Sequence, residues 1–281
     1  MKKSGVSLFI LSVFFLVSCQ KEIDWGLGEN ALADKLLVKI SSKTGSDSTL
    51  ISYTYNASKQ LIGENTTGVS GTTSVNNDLK IYRNSAGIIQ KTVQVSSALT
   101  ANGIDSVVTR FNYNTALSRY TSSVFAVTVM GTNVVDSVFY VYEAGGKITS
   151  DEHYLKASIL PPTLALKNQY TYSADGLNVA VAQQFAATTI GGALSPQASQ
   201  TYTYDGKKNP LVVKQEAILL FRTGLFNAQN PLKTIVTNTS NPSADFTMDY
   251  VYRYNSAGKP DSSYGTRTPG GAFTASKYFY Q

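Results

Sequence analysis

Chemistry has few places to sit in this chain. Its 281 residues include one His, one Cys and one Trp. A Ser-His-Asp triad could use only His153, in Asp151-Glu152-His153-Tyr154, and no Gly-x-Ser-x-Gly elbow accompanies it. A lone His in a strand pattern reads as a surface or packing residue. A metal centre would have to be built from oxygen ligands, but no EF-hand loop is present and the Asp residues fall at turns and strand starts. No metal and no other cofactor is expected. Glycoside hydrolysis needs two carboxylates brought together in space, for which Glu152 and Glu216 are the least turn-like acids. Gly270-Gly271 lacks the strand–helix context of a phosphate loop. No catalytic constellation is visible, so an enzyme is not expected. Aromatic rings could stack on a glycan, and the rings lying off the repeat period described below, Phe185, Phe226 and Phe273, are the candidate ligand contacts.

The elements that would position these residues follow from composition and pattern. Charged residues are 15% of the chain, against about 25% in an average soluble domain. Aromatic and β-branched content is high, with 18 Tyr, so low charge does not signal disorder here. A single Cys excludes an internal disulfide and any Cys-cluster zinc site. The formal net charge is +6, two of the lysines lie in the first five residues, and the remaining basic residues are scattered singly. That pattern predicts no nucleic-acid partner.

Lys2 and Lys3 precede an apolar run from Val6 to Val17. As a helix the run spans about 18 Å, short of the roughly 30 Å hydrocarbon core. It reads as a secretory signal occupying residues 1–18. The run ends in Leu16-Val17-Ser18-Cys19, which resembles a bacterial lipobox. The resemblance implies cleavage before Cys19, acylation of that residue, and membrane attachment through its lipid without a spanning helix. Gln20-Lys21-Glu22-Ile23-Asp24 resembles the export signal of surface lipoproteins in the Bacteroidota. The expected address is therefore an outer-membrane lipoprotein, possible at the cell surface. Residues 19–33 form the expected tether, and 34–281 one repetitive β domain.

Within that domain one pattern recurs about every thirty residues: a strand ending in aromatic-x-aromatic, a polar turn, then another strand. The pairs are Tyr53/Tyr55, Phe111/Tyr113, Tyr140/Tyr142, Tyr170/Tyr172, Tyr202/Tyr204 and the triple Tyr250/Tyr252/Tyr254, with Ile81-Tyr82 as a degenerate copy. Asn84-Ser85-Ala86-Gly87 recurs identically at Asn255-Ser256-Ala257-Gly258, as suits a type I turn closed by a glycine at positive φ. Asn56-Ala57-Ser58-Lys59 and Asn114-Thr115-Ala116-Leu117 lack the glycine, which predicts looser hairpins there.

Spacing of two puts both rings of a pair on one face of a strand, with Thr54, Asn112, Thr171 and Thr203 on the other. The predicted fold class is all-β: an antiparallel meander of about seven hairpins forming a large curled sheet or partly closed barrel. A longer gap before Tyr254 predicts one inserted short helix near 211–227, after Asn209-Pro210, with a pair of buried strands through Ala217–Phe221 as the competing reading.

Tyr204-Asp205-Gly206 and Tyr254-Asn255-Ser256-Ala257-Gly258-Lys259 resemble the YD (RHS-type) repeat, with Lys147 and Lys259 where Arg is usual. Degenerate repeats of this kind occur in uncharacterised Bacteroidota surface lipoproteins, and the resemblance implies architecture rather than activity. The expected function is a lipid-anchored, non-catalytic binding, adhesion or structural module of the envelope, with a glycan or protein ligand. The alternatives are a carrier holding a hydrophobic ligand in a curled-sheet cavity, and a carboxylate-dependent glycoside hydrolase. A transmembrane barrel fits the strand count loosely, but the polar outward positions oppose it.

Overall fold

The computed structural model describes residues 35–129, 132–157, 161–189, 191–210 and 228–281. The expected signal, lipobox, tether and inserted helix therefore lie outside the described residues. The strands are β1 (Leu37–Thr44), β2 (Asp47–Tyr55), β3 (Leu61–Ser70), β4 (Thr73–Arg83), β5 (Ile89–Ser96), β6 (Val107–Asn114), β7 (Arg119–Val129) and β8 (Thr132–Tyr142). They continue as β9 (Ile148–Ala157), β10 (Thr163–Tyr172), β11 (Val179–Ala187), β12 (Leu194–Lys208), β13 (Gln229–Asn238), β14 (Phe246–Tyr254), β15 (Pro260–Thr268) and β16 (Phe273–Tyr280). Each pairs antiparallel with its chain neighbours, and β16 pairs with β1, so the sheet is a closed barrel.

This corrects the expected seven hairpins in a curled or partly closed sheet. The pattern stopped one copy short, because Tyr278 and Tyr280 end the chain and no turn follows to mark them. Their strand is the one that finds β1. Leu36 N donates to Gln281 O at 2.8 Å, and Gln281 N donates back to Leu36 O at 2.9 Å. Hydroxyl pairs Ser42–Ser276 and Thr44–Thr274 continue the seam on one face. Among the described residues the α-helix is α1 (Ser97–Ala101), between β5 and β6. Ser96 caps it by accepting from Leu99 N, and Asn102 and Gly103 end it.

Closure has a local cause that repeats. At the base of the seven hairpins that share one end of the barrel the register slips by one residue, and the slip falls at the second position of the pair: Tyr55, Arg83, Tyr113, Tyr142, Tyr172, Tyr204 and Tyr254. In one case Thr54 opposes Gly63 while Tyr55 opposes Leu61, leaving Ile62 extra. A bulge of this kind bends the strand and increases its twist, so one bulge per hairpin curls the sheet steadily until its edges meet.

The tyrosines serve the bulges. Tyr142 OH donates to Tyr120 O (2.6 Å), Tyr172 OH to Ile148 O (2.9 Å) and Tyr280 OH to Pro260 O (2.7 Å). Tyr55 and Tyr204 donate likewise to Leu37 O and Val179 O. Each ring leans along the wall onto a carbonyl beside the preceding hairpin's bulge, where the ladder is broken and a donor is needed. In β4 the inward pair is Ile81 and Arg83, not Ile81-Tyr82. Tyr82 is exposed, and Arg83 Nε bonds Leu61 O in the tyrosine's place. Burial pushes the Tyr142 and Tyr172 phenols up to about 12, so both are neutral donors at physiological pH.

The core lies on the inner face at the end carrying these short turns, called here the tight-turn end. Leu37, Ile51, Tyr53, Ile81, Ile89, Val138, Tyr140, Ile148, Tyr170, Val179 and Tyr278 are buried in one cluster. Thr54, Asn112, Thr171 and Thr203 face outward and are exposed, as their alternation requires.

The glycine-free turns differ: the Asn114 turn is one residue longer than the glycine turns, with Ser118 N donating to Thr115 O at 3.3 Å, whereas the Asn56 turn is as tight as they are. Lys59 N donates to Asn56 O at 2.9 Å, the same bond that Gly87 makes to Asn84. Lys59 accepts the left-handed conformation at φ +59°, and Ser118 does so at +49° in its turn. Left-handed backbone costs a non-glycine residue about 1–2 kcal/mol, partly offset because glycine loses more entropy on folding. Lys59→Gly should therefore raise stability by about 0.5–1 kcal/mol, read as a shift in the denaturant midpoint at constant m-value. A loss of stability would show that the Lys59 side chain supports the turn.

Candidate functional site

The densest cluster of chemistry lies on the inner wall where β8, β9, β10 and β11 run side by side. Asp136 stands in mid-strand, not at a turn or strand start as expected of the aspartates. It faces inward and is 4% exposed. His153 lies opposite Val138, and Asp151 is sandwiched between Tyr140 and Asn168. The inward alternation therefore brings residues from four strands together.

Both imidazole nitrogens are engaged. His153 Nδ1 lies 2.8 Å from Asp136 Oδ2, and Nε2 lies 3.0 Å from Asp151 Oδ1. Asp151 also accepts from Asn168 Nδ2 (2.7 Å) and from Tyr170 OH (2.5 Å). Gln184 Nε2 extends the network to Asn168 Oδ1 at 3.3 Å. Nearby, the Ser123 and Tyr140 hydroxyls share a bond of 2.8 Å. Burial alone would push His153 down, but the two carboxylates outweigh it and hold the imidazole up at about 10. At neutral pH the ring is a cation donating to both acids.

That arrangement cannot accept a proton. A triad imidazole needs one nitrogen free to take a proton from a nucleophile, whereas here each nitrogen faces a carboxylate. Tyr170 is no substitute base, because burial pushes its phenol well up and Asp151 holds it there. The cluster acts instead as an ionic clamp across β8, β9 and β10. Asp136 Oδ1 and Gln184 Oε1 are buried without a hydrogen-bond partner.

The other predicted residues are not gathered there. Glu152 points outward and pairs with Lys167 Nζ at 2.9 Å. It borders a shallow outer hollow of about 440 Å³ with Ser137, Phe139, Tyr154 and Pro162, where the Phe139 and Tyr154 rings meet edge to face at 5.5 Å. Glu216 and Phe226 lie outside the described residues. Phe185 is half-buried on the outer face of β11. Phe273 is 50% exposed on β16 and stacks on Tyr264 at 5.6 Å. Strands β12 to β15 separate these two phenylalanines, so they share no surface. Sequence reasoning missed Asp136, and the only signal that could have found it was its place in the alternation Val134, Asp136, Val138, Tyr140.

The outer face is as informative as the inner one. Several charged side chains stand outward in mid-strand, among them Lys80 and Asp78 on β4, Lys167 on β10, and Lys233 and Asp249 as a pair between β13 and β14. A transmembrane barrel shows an outward apolar band about 25 Å tall, in which a Lys or Arg at the midplane costs about 2–4 kcal/mol. Here those mid-strand charges interrupt exposed Phe139, Val141, Val251 and Phe279 on the outer face, and the inner face carries buried Glu64, Asp136, Asp151 and His153 beside its aliphatic and phenolic residues. Among the described residues no helix is long and apolar enough to cross a membrane.

The strands together define a closed, sixteen-stranded antiparallel barrel. Its fold is similar to that of a porin-like protein from Bacteroides uniformis, at a TM-score of 0.52 and 12% identity, covering 87% of this chain and 98% of that one. A porin-like protein from Bacteroides vulgatus matches with a TM-score of 0.52 and 12% identity over 88% and 99%. At that identity the likeness shows the fold alone. The Photorhabdus luminescens Tc holotoxin pore overlaps at a TM-score of 0.29, too low to carry an argument. No protein-family model and no curated protein matches the chain.

Proposed function

We propose that the chain is a lipid-anchored barrel of the cell envelope, held at the outer membrane by acylated Cys19 and serving as a non-catalytic binding or structural module. The observation that carries this reading is the polarity of the barrel wall. Charged side chains standing outward in mid-strand interrupt a continuous lipid-facing band, so a barrel of this kind needs a separate anchor to stay at a membrane. The lipobox Leu16-Val17-Ser18-Cys19 supplies one in sequence. Porin-like neighbours in Bacteroides are compatible with an envelope address. The imidazole clamp supports a structural rather than catalytic use of the sole His.

Metabolic labelling with an alkyne fatty acid tests the anchor. The full chain should take up label and fractionate with membranes, and Cys19→Ala should lose the label completely. The mature chain from Gln20 should stay soluble and strand-rich without detergent. An unlabelled wild-type chain would overturn the anchoring, and a barrel that folds only in detergent micelles would overturn the reading of its wall.

A further inference from the structure

The scattered basic residues of the sequence converge in three dimensions. Lys59, Arg119, Lys147, Lys207, Lys208 and Lys259 all lie in or beside the turns of the tight-turn end. Lys35 joins them where the chain enters the seam, its carbonyl accepting from Lys259 Nζ at 2.7 Å. Several are held in place by the rim tyrosines, with Arg119 over Tyr142 at 4.4 Å, Lys147 over Tyr172 at 5.2 Å and Lys259 over Tyr280 at 5.4 Å. In each of these the cation beside one turn covers the tyrosine of the next hairpin. Glu143, Asp175, Asp205 and Asp261 are the acids of this rim, and they are fewer than the cations. At the opposite end Lys43, Lys156 and Arg267 are balanced by Asp47, Asp105 and Asp245. Among the described residues the excess of cations lies at one end only, and it is the end from which the chain leads back toward Cys19.

We propose that the tight-turn rim docks on an anionic lipid surface, so that the barrel stands end-on upon the membrane that holds its anchor. This rests on the anchored reading above, which decides the end facing the bilayer. A lipid anchor by itself does not fix orientation, whereas a ring of cations beside it fixes one end to negative headgroups. Each Lys or Arg brought to such a surface raises partition about fivefold, and one lipid anchor gains durability from a basic patch.

The mature chain from Gln20 retains the whole closed sheet and can be tested without acylation by co-sedimentation with vesicles. It should bind vesicles of phosphatidylcholine with about one third phosphatidylglycerol, should ignore pure phosphatidylcholine, and should release as salt shortens the screening length. Lys59→Glu with Lys208→Glu, both exposed at the rim, should weaken binding by about twentyfold or more. Lys43→Glu with Lys156→Glu at the other end should leave it unchanged. Binding that ignores vesicle charge, absent binding to anionic vesicles, or equal loss in both variants would overturn the proposal. Retention on soluble dextran sulfate without vesicle binding would assign the rim to an acidic polymer and overturn it too. Acylation is read separately by the labelling experiment, so a failed anchor and a failed rim give different results.

Discussion

His153→Gln should cost the barrel about 3–5 kcal/mol at neutral pH, the largest single-residue loss expected among its polar side chains. Removing one partner of a buried ionic group leaves the others charged and uncompensated. Here two carboxylates, Asp136 and Asp151, face the same imidazole from opposite sides, and both are nearly excluded from water. The cost should depend on pH in a direction fixed by linkage. His153 is raised from 6.5 to about 10 on folding, so its contribution is complete below about pH 6.5 and is lost as pH rises toward 10. The gap between wild type and variant should therefore narrow steadily over that interval. Adding Asp136→Asn to His153→Gln should recover part of the loss, because it removes one of the stranded charges. Denaturant melts at pH 6 and pH 9.5 would read these differences. A deficit under about 1 kcal/mol, or one that stays flat with pH, would show that the network does not clamp the wall.

Ending the chain before Phe273 should prevent folding to a monomer altogether. Without β16 the sheet loses the buried Tyr278 ring, the Tyr280 bond to Pro260 and both backbone bonds between Leu36 and Gln281. It also leaves β1 and β15 as long unpaired edges, which pair readily with other chains. Size-exclusion chromatography should show aggregates or oligomers in place of the monomer. Tyr280→Phe removes only one hydrogen bond to a carbonyl and should cost about 1–2 kcal/mol while keeping the monomer. A truncated chain that remained monomeric with its strand content intact would mean that individual hairpins, not closure, hold the structure.

Much of the wall was legible because its units are local. The identical turns at Asn84 and Asn255 carry their glycine at φ +80° and +74°, as their sequence suggests. The ring spacing of two placed Tyr53, Tyr140, Tyr170 and Tyr202 on the buried face, and each is at most 9% exposed. The misreadings share one origin, which is that a motif was read where a backbone environment decides. Lys59 keeps the turn without glycine, since a fixed hairpin can impose a left-handed conformation on a long side chain. Arg83 replaces a tyrosine because the bulge needs a donor rather than a ring. Asp136 reads from sequence like the other aspartates, as a turn or strand-start residue. Its inward position shows only when the strand is extended through it.

The sequence by itself determined the period, the strand faces, the tight turns and the identity of the buried rings, because those depend on neighbours within a few residues. The tertiary structure alone decided the number of strands joined, the meeting of β1 with β16, the convergence of Asp136, Asp151 and His153, and the gathering of lone lysines into one rim. Each of these depends on how curvature accumulates around the whole barrel. A bulge at each tight-turn hairpin adds a small bend, and only the sum over sixteen strands brings Leu36 and Gln281 within hydrogen-bond distance.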